Sequence, residues 1–168
     1  TAGNKKEALK HLKKAASLNP GHRETAKQLG ILLEAEGRHE EAQKHLLAAG
    51  GKGKWDEETA FTLYRAYKGA GKTQKAREQL SRLVKKVPDR KGYVYPLDKL
   101  EFSFNKYITV IKLLEVPAVK KNLDADMSFL LLRSYMEKEM ETKARGLAAK
   151  IQKKYPLESS SSIDLAVL

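Results

Sequence analysis

The 168-residue chain reads as an all-α solenoid of antiparallel helix pairs, and three observations predict that class. Apolar residues recur three and four apart, as in Ala8-Leu9-Leu12-Ala15-Ala16 and Leu29-Leu32-Leu33, which is the spacing of one helix face. Ala, Leu, Lys, Glu and Gln abound, and strand signals are nearly absent. The pattern also returns at an offset of about 34 residues, a period that marks stacked supersecondary units.

Three phases carry that period. Leu29, Leu63, Leu97 and Leu131 occupy one, while Ala8, Ala42, Ala76, Val110 and Ala144 occupy a second. Leu12, Leu46, Leu80, Leu114 and Ala148 occupy a third. Gly3, Gly37 and Gly71 fall between the phases as helix stops, and Pro20, Pro88 and Pro156 close three of the units. Each unit is therefore two helices joined by a Gly turn, the first carrying the Leu phase and the second opening with a small residue. Small residues let helix axes approach, Leu fills the groove so formed, and stability becomes a nearest-neighbour sum.

In chain order, residues 1–22 form a partial repeat represented by its second helix only, with Asn4 and Glu7 at capping-box spacing. Residues 23–56 and 57–90 are full repeats, and Trp55 before Asp56 is placed to staple onto Ala60. Residues 91–124 depart from the pattern: Pro96 falls inside the expected first helix, Glu101 replaces an aromatic, and Pro117 interrupts the second helix. Two readings stay open there. One is a degenerate repeat whose shortened first helix starts near Pro96, with Lys91 to Tyr95 as a loop; the other is an irregular insert of matching length. Residues 125–158 are again a repeat, with Glu139 in place of the turn Gly, and 159–168 are a Ser-rich tail with the apolar end Ile163 to Leu168. The whole of 1–158 reads as a single domain. Its ends leave apolar surface uncovered, which predicts a segment of a longer array or end-to-end self-association.

These residues resemble the tetratricopeptide repeat. The resemblance rests on Ala26, Leu29-Gly30, Leu33, Gly37, Ala42, Leu46 and Ala49, on Ala60, Leu63-Tyr64, Tyr67, Gly71, Ala76, Leu80, Leu83 and Pro88, and on Ser128, Leu131, Tyr135, Ala144, Ile151 and Pro156. It covers roughly residues 3–90 and 125–156. It implies a right-handed superhelix with first helices lining a concave groove and second helices forming the back. It also implies an adaptor that holds a protein or peptide within a larger assembly. The groove positions it implies are Lys27, Gln28 and Ile31, then Phe61, Thr62, Arg65 and Lys68, then Phe129 and Arg133, with Glu24 and Met136 beside them. Apolar Ile31, Phe61 and Phe129 next to basic side chains suit an extended or helical acidic peptide. A second reading has Phe61 and Phe129 packing between units. Some relatives clamp a chaperone carboxylate with Lys, Asn and Arg, but Ile31, Thr62 and Pro96 stand at those places, so that role is not expected.

Lys plus Arg outnumber Asp plus Glu by 33 to 21, a formal charge of +12, and much of the excess lies on second helices. Lys14, Arg82 and Lys150 share a phase, so with Lys85 and Lys153 they form a convex basic stripe that would take RNA or an anionic surface. Aromatic residues are not interleaved with this charge along the chain, which weakens stacking of single-stranded RNA.

Several patterns are less than they look. Gly69-Ala70-Gly71-Lys72-Thr73 resembles the end of a phosphate-binding loop, but Ala66 stands where its first Gly belongs and an amphipathic helix precedes it. His39 and His45 are six apart and on different helix faces, not the four apart that zinc needs. With no cysteine there is neither a disulfide framework nor a thiolate site. No catalytic set, metal site or cofactor fingerprint is read, so the expectation is no enzyme, no cofactor and no metal. The compartment leaves no mark beyond a slight leaning to cytoplasm over periplasm, and no apolar run reaches the roughly 20 residues of a membrane span.

Overall fold

Three of the described helices begin where a side chain accepts one of their first free amides. Asp56 Oδ1 accepts from the Thr59 N–H at 2.9 Å and opens α4 (Glu57–Gly69), and Asp124 Oδ1 accepts from the Met127 N–H at 2.9 Å to open α9 (Ala125–Met136). His22 Nδ1 receives the Thr25 N–H at 3.2 Å ahead of α2 (Arg23–Ala35). The other helices are α1 (Ala2–Leu18), α3 (His39–Gly50), α5 (Thr73–Lys86), α6 (Lys91–Ser103), α7 (Tyr107–Leu114), α8 (Pro117–Lys120) and α10 (Glu141–Lys154). The computed structural model describes residues 2–51, 53 and 55–155, and among these there is no strand. Pro156 and the tail at 159–168 lie outside the described residues.

The helices gather into two units that divide between Lys86 and Val87. In the first, α1 packs on α2, α2 on α3, α3 on α4 and α4 on α5, with α2 also beside α4. In the second, α6 packs on α7 and α9, α7 on α9 and α8, and α9 on α10. The predicted phases are the cores. Leu29, Leu63, Leu97 and Leu131 are each at most 2% exposed, and Ala42, Ala76, Val110, Ala144, Leu46, Leu80 and Leu114 are buried with them. Ala8 is exposed and Leu12 half-buried, because α1 has α2 as its main neighbour among the described residues.

The turns repeat as faithfully as the cores. Gly37, Gly71, Asn105 and Glu139 all have positive φ, at 74°, 70°, 56° and 55°. The residue after each sends its N–H back to the last turn of the preceding helix: Arg38 to Leu33 O, Lys72 to Tyr67 O, Lys106 to Glu101 O and Met140 to Tyr135 O, all at 2.9 Å. That 6→1 bond, with a left-handed residue inside it, satisfies carbonyls the helix end would leave open. Glycine adopts this conformation without a Cβ penalty, whereas Glu139 pays a steric cost of roughly 1–2 kcal/mol. Glu139→Gly is expected to raise stability by about 0.5–1 kcal/mol, after the extra freedom Gly gives the unfolded chain is subtracted. Urea unfolding read by circular dichroism checks this, and an unchanged or lowered midpoint contradicts it.

Three expectations are corrected. Gly3 and Asn4 lie inside α1, so the turn and capping box read there do not form. Trp55 also rests its indole against Gly50 at the end of α3, where a Cβ would sit 2.3 Å from the ring, and it shares a cleft with Ala60. Lys91 to Tyr95 is helix, not loop, and α6 runs a full 13 residues through Pro96. Pro96 lacks only the N–H that would reach Gly92, an exposed residue whose carbonyl water can satisfy, so the break is tolerated. It is the second helix that is short. Pro117 starts α8 at its first position, leaving α7 only eight residues.

The core of the second unit holds one group that its surroundings do not satisfy. Asp98 on α6 is fully buried, and neither carboxylate oxygen has a hydrogen-bond partner among the described residues. Burial pushes its carboxyl up to about 7, helped by the charge of Asp124, while Lys99 pulls the other way without completing a hydrogen bond to it.

Candidate functional site

In the first unit α2 and α4 lie side by side, and charged side chains tie them together. Lys27 Nζ on α2 lies 2.7 Å from Glu58 Oε2 and 3.2 Å from Asp56 Oδ1. Arg65 on α4 reaches back to Glu34 Oε2 at 3.0 Å, and Glu34 is buried. The hydrogen bond from Lys27 to Glu58 raises the Lys27 ammonium above its ordinary value. Burial alone would raise the Asp56 carboxyl, but the Thr59 N–H and hydroxyl and the Lys27 ammonium hold it below the usual range. Two of the cations expected to meet an acidic partner are thus matched by acids of this surface.

The remaining groove positions divide by exposure. Ile31 is half-buried against the Leu29, Leu33, Leu46 and Leu63 cluster, and Phe61 is half-buried with its ring 5.3 Å from that of Tyr64. Gln28 is exposed and donates to Glu24 Oε1 at 2.7 Å. Lys68 is exposed, with no partner for its ammonium among the described residues. Thr62 is a correction: it is buried, and its hydroxyl donates to Glu58 O at 2.8 Å, so it offers nothing to a partner. In the second unit Phe129 is half-buried and Arg133 is exposed, its guanidinium 5.1 Å from the centre of the Phe102 ring.

The basic positions of the second helices are exposed within each unit, and their phase is not charged throughout. Lys14 on α1, Arg82 and Lys85 on α5, and Lys150 and Lys153 on α10 are all exposed, and their charged ends have no partners among the described residues. The same phase on α3 falls at Ala48, which carries no charge. Tertiary structure does bring aromatic surface to α5: Lys75 Nζ stands 5.9 Å from the centre of the Tyr67 ring, and Trp55 joins Arg82 and Lys86 around a cleft of 170 Å³. Sequence reasoning missed this because Trp55 lies in the linker before α4 and Arg82 on α5, far apart in sequence.

The phosphate-loop look-alike has its own structural use. Gly69 leaves room for the His39 ring, which would sit 2.3 Å from a Cβ there, and Gly71 supplies the left-handed turn. Lys72 Nζ is held by Gln43 Oε1 at 2.9 Å and Glu40 Oε1 at 3.2 Å.

A larger cleft in the second unit also escaped the sequence. It has a volume of 320 Å³, and Glu115, Tyr135, Lys143 and Leu147 are among its lining residues. Glu115 Oε1 accepts from the Tyr135 hydroxyl at 2.8 Å and from Lys143 Nζ at 2.9 Å. The Lys143 hydrogen bond holds the Glu115 carboxyl below the usual range, and burial with the Glu115 bond pushes the Tyr135 phenol up.

Repeating cores, repeating left-handed turns and paired helices meet a direct comparison. Residues 1–58 and 59–90 match tetratricopeptide repeat profiles, more than half of the chain together. The chain belongs to the tetratricopeptide repeat family. The chain is similar in fold to the solved structure titled "MamA AMB-1 P212121", at 17% identity and a TM-score of 0.75, covering 99% of this chain and 90% of that one. It is similar likewise to the structure "Crystal structure of MamA protein", at 19% identity and 0.71, covering 97% and 91%. Pseudomonas aeruginosa pilF aligns at 16% identity and 0.62, covering 88% of this chain and 68% of that one. No curated protein matches the chain. Tetratricopeptide repeats support an interaction scaffold as the general class of function, and the family is generally non-catalytic. No described helix is long and apolar enough to cross a membrane.

Proposed function

We propose that this tetratricopeptide repeat protein is an adaptor that binds a peptide or protein segment on the α2–α4 surface of its first unit. One observation carries the reading: half-buried apolar Ile31 and Phe61 stand on that surface beside Arg65 and Lys68, an apolar anchor with a polar rim. Phe129 and Arg133 repeat the combination in the second unit. With Lys27 and Arg65 paired internally, Lys68 is the cation left to favour an acidic residue on the partner. Lys68→Glu is therefore expected to lower recovery of the partner by the full chain while melting is unchanged, since an exposed substitution stays within about 0.5 kcal/mol. Full recovery of partner by Lys68→Glu and by Phe61→Ala would remove this surface. Arg65 is the poorer probe, because cutting it back leaves the buried Glu34 carboxylate without its ion pair.

A second reading is supported by the unpartnered Arg82 beside Trp55: RNA or an anionic surface on the basic second helices. It predicts binding that falls steeply as salt rises, and salt-insensitive binding excludes it.

A further inference from the structure

The cleft of the second unit exists because α7 is short. Its counterparts α3, α5 and α10 run 12, 14 and 14 residues, whereas α7 stops after eight and Pro117 turns the chain into α8. Part of α10 is left bare. Gly146 there has nothing within 4 Å of where a Cβ would stand, and half-buried Leu147 follows it.

What remains is an apolar floor with a basic rim. Leu123, Leu131 and Leu147 are among its lining residues, together with three lysines, Lys120, Lys143 and Lys150, and one carboxylate, Glu115. Lys143 and the Tyr135 hydroxyl both donate to Glu115, so the acid is already satisfied. Lys120 lies 4.0 Å from the same carboxylate oxygen, and Lys150 has no partner among the described residues. Three ammonium groups against one carboxylate leave a positive surplus over hydrophobic ground, which is complementary to an apolar side chain flanked by carboxylates.

We propose that this α8–α10 cleft is a second docking site, for a short partner segment in which leucine or phenylalanine sits between acidic residues. It is separate from the α2–α4 surface, and its helices belong to the other unit. The apolar side chain enters over Gly146 and Leu147, and the flanking acids meet Lys120 and Lys150.

The probe is a synthetic peptide, acetyl-Asp-Glu-Leu-Phe-Glu-Asp-amide, titrated into the full isotope-labelled chain and followed by amide chemical shifts. Saturable shifts centred on Leu123, Leu147 and Lys150 are expected. Gly146→Leu fills the open space on an exposed helix position and should weaken binding at least tenfold while leaving the melting temperature at or above that of the parent. Lys150→Glu should weaken it similarly, and Phe61→Ala should leave it unchanged. A peptide with Ser-Ser in place of Leu-Phe should bind at least tenfold more weakly. No saturable shifts, equal binding by the Ser-Ser peptide, undiminished binding by Gly146→Leu, or shifts confined to α2 and α4 would each overturn the site. Loss of binding by Phe61→Ala would do the same and leave the α2–α4 reading standing.

Discussion

Replacing Asp98 is expected to stabilise the protein, and to do so more at pH 8 than at pH 4. The folded carboxyl titrates at about 7, far above the 3.8 of an exposed aspartate, so between those values the folded state holds a proton that the unfolded state has released. Stability therefore falls as pH rises through this window, and the burden is complete above it. A shift of that size corresponds to roughly 4 kcal/mol at most, and local relaxation will reduce it. Asp98→Leu, which removes both the charge and the unbonded oxygens, should gain on the order of 2–4 kcal/mol at pH 8. Asp98→Asn should gain less, because its amide would still lack partners, but it should flatten the pH dependence just as well. Urea unfolding of parent and both variants from pH 4 to pH 8 measures this. Parallel pH profiles would mean that Asp98 is solvated or paired in solution.

Removing the Leu46 side chain is expected to be the most damaging single truncation in the first unit, and its cost should depend on Gly30. Leu46 is fully buried, and a Cβ on Gly30 would stand 2.6 Å from its Cγ and 3.2 Å from its backbone nitrogen. α2 and α3 are therefore as close as the Leu-Gly pair of the repeat allows. Leu46→Ala should cost about 2–5 kcal/mol through lost burial and an unfilled cavity. Gly30→Ala should cost about 1–3 kcal/mol through overlap, net of the roughly 1 kcal/mol that Ala gains over Gly as a helix former. Together the two should cost less than their sum by 1 kcal/mol or more, since the new methyl enters space that Leu46 has vacated. Denaturant midpoints for the four-member cycle give the coupling directly, and strict additivity would show that the helices part instead of interlocking.

What could be read from the chain was whatever depends on its period. Leu97 and Val110 are buried in their unit as Leu63 and Ala76 are in theirs, although Pro96 lies next to the first of them, because paired helices impose the same environment at each return of the phase. Residue type announces a left-handed turn only when it is Gly, so the one at Glu139 was legible from its place in the repeat and the one at Asn105 went unread. Pro96 misled for a related reason: its penalty depends on whether the carbonyl four residues back is buried, and at Gly92 it is exposed. The candidate surface was legible as a set of positions and not as an electrostatic state. Lys27 meets Asp56 and Glu58, and Arg65 meets Glu34, across distances in sequence that no local pattern spans. The second cleft was out of reach altogether, because it arises from where α7 ends and from the part of α10 this leaves uncovered.

The adaptor reading is tested most directly by photo-crosslinking from two positions of the full chain in its native extract. Benzoylphenylalanine in place of Phe61 is expected to give discrete protein adducts that Lys68→Glu diminishes, while the same group at Arg82 gives none. Adducts from position 82 alone, or adducts that nuclease removes, would contradict it and place recognition on the basic helices.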